Sequence, residues 1–182
     1  LDEALYARLL ERHTRAVAET VGTRVDYAGL AASADWKRLV RNLSRSRPAE
    51  LQSREQKLAF WINAYNILAI DLVQRHRPLE SIRDIGSWLR PVWDRDAGRI
   101  GGRPYTLGQI EHRILRPMGE PRIHVAIVCA STSCPSLRRE PFTAGRIDEQ
   151  LDESSRSFLA SPTKGMRLES DGVRISRIFE IG

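Results

Sequence analysis

The sequence has little of several features that mark common classes of protein. It contains two cysteines in 182 residues, a length that can build a substantial core without disulfide support. No apolar run approaches ~20 residues, the length a helix needs to cross a bilayer, so no transmembrane segment is expected. The chain has no Gly-rich phosphate loop, no His-Glu-x-x-His motif and no Gly-x-Ser-x-Gly motif. We therefore expect no cofactor.

Lysine is also scarce. Lys37, Lys57 and Lys164 are the only lysines among 29 basic residues, so nearly all of the positive charge is arginine. Against 23 acidic residues, this leaves a net charge of +6. The arginines are scattered and are not interleaved with aromatic residues, as they would be in a nucleic-acid groove. The pattern favours a solvated basic surface, and we expect no nucleic-acid partner.

Hydrophobic periodicity predicts a single, helix-rich α+β domain over residues 1–182, with a small sheet and a buried central helix. The central helix would begin at Ser53, which forms a capping-box pattern with Gln56, and run to about Arg75. Its stretch 58–70 is apolar on every side, which indicates burial. Further elements are predicted as helices over 2–20, 35–43, 107–116 and 147–159, irregular chain with hairpin-like pieces over 78–103, and a β-hairpin from 166–168 and 173–175.

The two cysteines lie in the most unusual segment, residues 124–135. Residues 122–129 are mostly apolar and predict a strand covered on both faces, with His124 and Cys129 on opposite sides. Pro135 can open a short helix with Cys134 at its N-cap, where the helix dipole favours a thiolate. The alternatives are that each cysteine is a small buried hydrophobe, or that the two form a disulfide.

A nucleophilic thiol needs a base and usually a group that orients the base. His112 is the preferred base, because its predicted helix directly precedes the cysteine strand, and Glu111 or Asn63 could orient it. Asn63 and Asn66 are amides on a helix that should be buried. The alternative for both is to clamp a neighbouring backbone segment, since each unsatisfied buried polar group costs about 1–3 kcal/mol.

These considerations define two sets of candidate site residues. The predicted catalytic residues are Cys129, Cys134, His112, Glu111 and Asn63. The predicted ligand-binding residues are Asn66, Ser131, Ser133 and His124. The same region has enough cysteine, histidine and glutamate for zinc, but Cys-x4-Cys is looser than the usual knuckle and no second cysteine pair exists. We therefore assign no metal ligands and keep a metal site as an alternative.

Three segments carry a recognisable pattern: 58–66 (LAFWINAYN), 107–116 (LGQIEHRILR) and 122–135 (RIHVAIVCASTSCP). Together with shorter matches along nearly the whole chain, they resemble the Domain of Unknown Function 547 family. Bacterial members are commonly predicted to be exported, so the resemblance implies a periplasmic or secreted protein, with the cytoplasm as the alternative. Plant members often have Ser or Asp at the second motif cysteine, which favours Cys129 over Cys134. The usual family ending is missing, so we expect a truncated C-terminus.

The leading hypothesis is a thiol-dependent hydrolase or acyl transferase acting on a peptide-like or amide substrate. A thiolate at Cys129 or Cys134 would attack, His112 would carry the proton, and loop N–H groups would hold the oxyanion. One alternative is a non-catalytic exported binding module for a peptide-like or small-molecule ligand, with a Cys129–Cys134 disulfide. The other is a metal-binding domain. The sequence does not indicate an oligomeric state.

Overall fold

The structure, a computed structural model, describes residues 1–18, 22–76, 92–129, 134–176 and 178. The helices and strands of these residues are, in chain order, α1 (Glu3–His13), β1 (Thr14–Ala16), β2 (Thr23–Val25), α2 (Tyr27–Ala32), α3 (Ala34–Ser44), α4 (Arg54–Arg75), β3 (Asp96–Ile100), β4 (Arg103–Thr106), α5 (Leu107–Ile110), α6 (Ile147–Leu159), β5 (Met166–Glu169) and β6 (Gly172–Ile175). Shorter 3-10 turns occur at Pro48–Glu50, Val92–Asp94, Arg116–Met118, Pro121–Val125 and Ala144–Arg146, and a π turn at Glu111–Leu115. The predicted helix-rich α+β fold is confirmed.

Helix α4 lies at the centre of the fold, as predicted. Ser53 and Gln56 form the capping box that starts it, and every residue from Leu58 to Ile70 is buried. A helix that is apolar on all sides needs neighbours on all sides, and α4 packs against α2, α3, α5, α6 and β3. Among the described helices, none is long and apolar enough to cross a membrane.

The strands of the described chain form three separate antiparallel pairs rather than one sheet. Strand β1 pairs with β2, β3 with β4, and β5 with β6. The β3–β4 turn uses Gly101 and Gly102, both at positive φ, which is the backbone geometry that tight hairpins require. The predicted hairpin is confirmed as β5–β6, in which Met166 faces Ile175.

The prediction of a strand over 122–129 is wrong. The chain forms a 3-10 turn over Pro121–Val125 and then continues to Cys129 without regular structure. Residues 123 and 125–128 are buried, which explains the apolar run, but a buried run by itself does not distinguish a strand from other buried chain. Within the described residues, the backbone of this segment bonds to a side chain of α4 and to no neighbouring strand. The alternation of faces inferred for His124 and Cys129 therefore does not apply.

Three further predictions differ from the structure in local detail. No helix follows Pro135, since 134–143 has no regular structure apart from bends, so Cys134 is not at a helix N-cap. The first helix ends at His13, because Thr14 adopts extended backbone angles (φ −130°, ψ 149°) and the chain enters β1. The predicted helix 107–116 divides into α5 and the π turn Glu111–Leu115. Of the predicted irregular stretch 78–103, residues 78–91 lie outside the described chain.

Candidate functional site

The two cysteines form a disulfide in the structure. Cys129 and Cys134 are bonded, with their Cα atoms 6.1 Å apart. The segment between them, which includes the predicted ligand-binding residues Ser131 and Ser133, lies outside the described residues. A sulfur in a disulfide carries no thiolate, and the thiolate is the nucleophilic form of cysteine. In this oxidised state, neither Cys129 nor Cys134 can attack a substrate.

Asn66 holds the chain just before Cys129. Its Nδ2 donates to Ala126 O at 3.0 Å, and its Oδ1 accepts from Val128 N at 2.9 Å. Asn66 is 2% exposed, and both partners are buried. The side-chain amide of Asn66 therefore supplies the hydrogen-bond donor and acceptor that a neighbouring strand would supply to the backbone of residues 126–128.

Asn63 makes an equivalent clamp one helical turn earlier on α4. Its Nδ2 donates to Phe142 O at 2.7 Å, and its Oδ1 accepts from Phe142 N at 3.0 Å. The interpretation of both asparagines as backbone clamps is confirmed. Since Asn63 has both polar atoms bonded to Phe142, the structure does not place it as the residue that orients His112.

The π turn and the 3-10 turn bring Glu111, His112 and His124 into one polar cluster. Glu111 Oε1 lies 3.9 Å from His124 Nδ1 and 3.5 Å from Arg116 Nη2. Burial, assisted by the positive charge of Arg116 and by His112, lowers the pKa of His124, and the nearby Glu111 carboxylate opposes this shift. Single π turns occur frequently at functional sites, and this one places Glu111 next to His124, which the sequence did not indicate.

The members of this cluster differ in exposure. His112, the predicted base, is exposed, whereas His124 and Glu111 are mostly covered, with side chains 12% and 19% accessible. The catalytic role of His112 and Glu111 and the ligand-binding role of His124 stay predictions. Within the described ranges, no three His, Cys, Asp or Glu side chains are grouped closely enough to hold a metal ion.

A large cleft in the described chain was not predicted from the sequence. It has a volume of about 1050 Å³ and lies between α1, α6, residues 135–140 and residues 161–164. Residue 135 directly follows Cys134, so the disulfide anchors the start of one cleft wall. A sequence signal for the opposite wall did exist: Ser154, Ser157 and Ser161 recur at helical spacing and all line the cleft.

Hydroxyl groups and basic side chains give the cleft its chemical character. Arg138 is held by Glu140 and by Glu153 at 2.8 Å, so its charge is compensated. Lys164 Nζ donates to Ser136 Oγ at 3.3 Å. Burial lowers the pKa of Lys164 below its usual value. The cleft is therefore lined by hydrogen-bonding groups and by one partly desolvated amine.

An ion-pair network fixes the turn Pro121–Val125, whose last residue also lines the cleft, against α6. Arg122 contacts Asp152 at 2.6 Å, Glu120 at 2.7 Å and Asp148 at 2.8 Å. The hydrogen bond from Arg122 holds the pKa of Glu120 below its ordinary value. The Arg122 network therefore holds this segment against α6, while Asn66 holds its continuation at Ala126 and Val128 against α4.

Comparison with models of protein families identifies a family for most of the chain. A family model described as "Protein of unknown function, DUF547" matches residues 48–159, which is more than half of the chain. This range contains α4, the polar cluster at the π turn and the disulfide. Searches of curated proteins and of solved structures gave no significant match.

Proposed function

The chain belongs to the DUF547 family, and from this premise we propose that it is a ligand-binding module whose binding site is the cleft beside the disulfide. The observation that carries the proposal is the Cys129–Cys134 bond, which removes the thiolate and anchors the wall at 135–140. Disulfides persist in oxidising compartments, so the module is proposed to act outside the cytoplasm.

The dimensions and lining of the cleft support a peptide-like ligand. A volume of about 1050 Å³ is just above the usual range of small-molecule sites, so the cleft has room for an extended ligand. Its serine hydroxyls can both donate and accept hydrogen bonds, which suits the alternating N–H and C=O groups of a peptide backbone. The amine of Lys164 can pair with a carboxylate or carbonyl of such a ligand.

The proposal is tested by filling the cleft. Ser157 is exposed on the cleft wall, and Ala160, the residue that caps the C-terminus of the same helix, is exposed but does not line the cleft. Binding of a mixture of fluorescein-labelled hexapeptides, followed by fluorescence anisotropy, should be lost in Ser157→Trp and retained in Ala160→Trp. Equal binding by the two variants would place the peptide site elsewhere, and no binding by the unmodified chain would refute a peptide-like ligand.

A thiol-dependent hydrolase would require the disulfide to be reduced first. Brief treatment with iodoacetamide at pH 6, with and without prior reductant, separates the two functions when followed by intact-mass spectrometry. The binding module predicts no alkylation without reductant and a mass two daltons below that of the reduced chain. Rapid alkylation of one cysteine, suppressed in His112→Ala, would instead support the hydrolase and contradict the proposed module.

A further inference from the structure

We propose that Ser136 and Lys164 form a nucleophile–base pair that cleaves an ester or amide bond in a ligand held in the cleft. Lys164 Nζ lies 3.3 Å from Ser136 Oγ, and both side chains line the cleft. Serine–lysine pairs are an established variant of the serine–histidine–aspartate arrangement. The inference rests on the proposed function, because the same cleft holds the ligand, and it adds a reaction to binding.

Position 164 has a lysine in a chain whose basic residues are nearly all arginine, and this supports a role of Lys164 in proton transfer. The chain has 29 lysines and arginines, of which only Lys37, Lys57 and Lys164 are lysines. Lys37 and Lys57 are exposed, whereas Lys164 is partly buried. An arginine stays protonated in proteins, but a desolvated lysine can lose its proton and act as a base. Burial lowers the pKa of Lys164 in the direction that this function needs.

The backbone is closely packed around both residues of the pair. Gly22 has φ +72°, and a Cβ at this position would overlap Ser136 Oγ, so glycine leaves room for the hydroxyl. On the other side, the N–H groups of Lys164 and Gly165 both donate to Ser161 O, at 3.2 and 2.8 Å. Gly165 packs so closely on the end of α6 that a Cβ there would overlap the Phe158 carbonyl.

The reaction uses only the ligand and water as reactants. Neutral Lys164 Nζ takes the Ser136 hydroxyl proton while Oγ bonds to the carbonyl carbon. The bond from that carbon to the leaving oxygen or nitrogen then breaks, and Nζ gives its proton to the leaving group. Water next attacks the carbonyl carbon of the acyl-serine while Lys164 Nζ accepts a proton from the water. The bond from that carbon to Ser136 Oγ then breaks, and Nζ returns the proton to Oγ. The products are a carboxylic acid and an alcohol or amine.

The test is labelling of the oxidised full chain with an alkyl fluorophosphonate, a probe that bonds to an activated serine oxygen and releases fluoride. Intact-mass spectrometry gives the stoichiometry and the rate, and peptide mapping identifies the labelled serine. The expected result is one adduct, on Ser136, absent in Ser136→Ala and unchanged in the control Ser155→Ala, since Ser155 Oγ donates to Leu151 O and does not line the cleft. A general base contributes about 10²–10⁴-fold in rate, so Lys164→Arg and Lys164→Met should each label at least about 100-fold more slowly.

Two features of the design keep the result interpretable. Lys164→Arg keeps a long basic side chain that cannot lose its proton, so slow labelling in this variant with an unchanged melting temperature shows loss of a base and not loss of folding. The proposal is overturned if Ser136 is unlabelled, if other serines react equally, or if Lys164→Arg reacts at the wild-type rate. If the unmodified chain binds hexapeptides but Ser136 is not labelled, the nucleophile–base pair is refuted and the proposed binding function stands. If the unmodified chain binds no hexapeptide, the proposed function is refuted.

Discussion

Replacing Asn66 with leucine, a side chain of similar size, tests the clamp that holds the chain before Cys129. The substitution removes a donor from Ala126 O and an acceptor from Val128 N. Both backbone groups belong to residues no more than 6% exposed, so water cannot replace the lost amide. An unsatisfied buried polar group costs about 1–3 kcal/mol, and two of them give a loss of about 2–6 kcal/mol. Because domains are stable by only about 5–15 kcal/mol, this is a large fraction of the total.

The loss is measured by urea unfolding of the oxidised chain, monitored by tryptophan fluorescence. Asn42→Leu is the matched control, since Asn42 is a partly exposed amide on α3, and its change should stay within about 0.5 kcal/mol. Amide hydrogen exchange adds a local readout, because Val128 N–H should lose protection in Asn66→Leu. A loss of less than 1 kcal/mol with Val128 protection retained would refute the clamp as a stabilising feature.

Three other perturbations have defined outcomes. Cys129→Ser opens the short loop 129–134 and should lower the free energy of unfolding by about 2 kcal/mol, measured by thermal unfolding. Since burial lowers the folded-state pKa of His124, its contribution to stability is present above its unfolded value, near 6.5, and is lost as the pH falls through the lowered folded value. Glu120→Gln weakens the charged hydrogen bonds to Arg122 and should cost about 2 kcal/mol in urea unfolding.

Each of these predictions has a control and a contradicting result. Reductant should lower the melting temperature of the wild type but not of Cys129→Ser, and equal sensitivity would contradict a stabilising disulfide. The acid-induced decrease in stability should be smaller in His124→Gln and retained in His112→Gln, and a decrease identical in both variants would assign it to other groups. For Glu120→Gln, the matched control is Glu50→Gln on an exposed pair. Equal stability losses in the two would show that the Arg122 network adds nothing.

Features that depend on neighbours in the sequence could be predicted. The capping residues Ser53 and Gln56 define the start of α4, and the apolar positions from Leu58 to Ile70 require its burial. The β5–β6 hairpin follows from local turn residues and alternation. The alternative that Asn63 and Asn66 clamp backbone was also accessible, because a buried amide must find a partner wherever the chain supplies one.

The sequence by itself therefore determined the central helix, most other helices, one hairpin and the family. Tertiary structure decided that residues 122–129 are not a strand. A strand requires backbone hydrogen bonds to a neighbouring strand, and here the side chain of Asn66 bonds to Ala126 O and Val128 N instead. Tertiary structure also decided that the cysteines are paired, and that Ser136 meets Lys164 in a cleft formed by segments more than a hundred residues apart. Local periodicity reports which face of an element is buried, but not which distant segments pack against it.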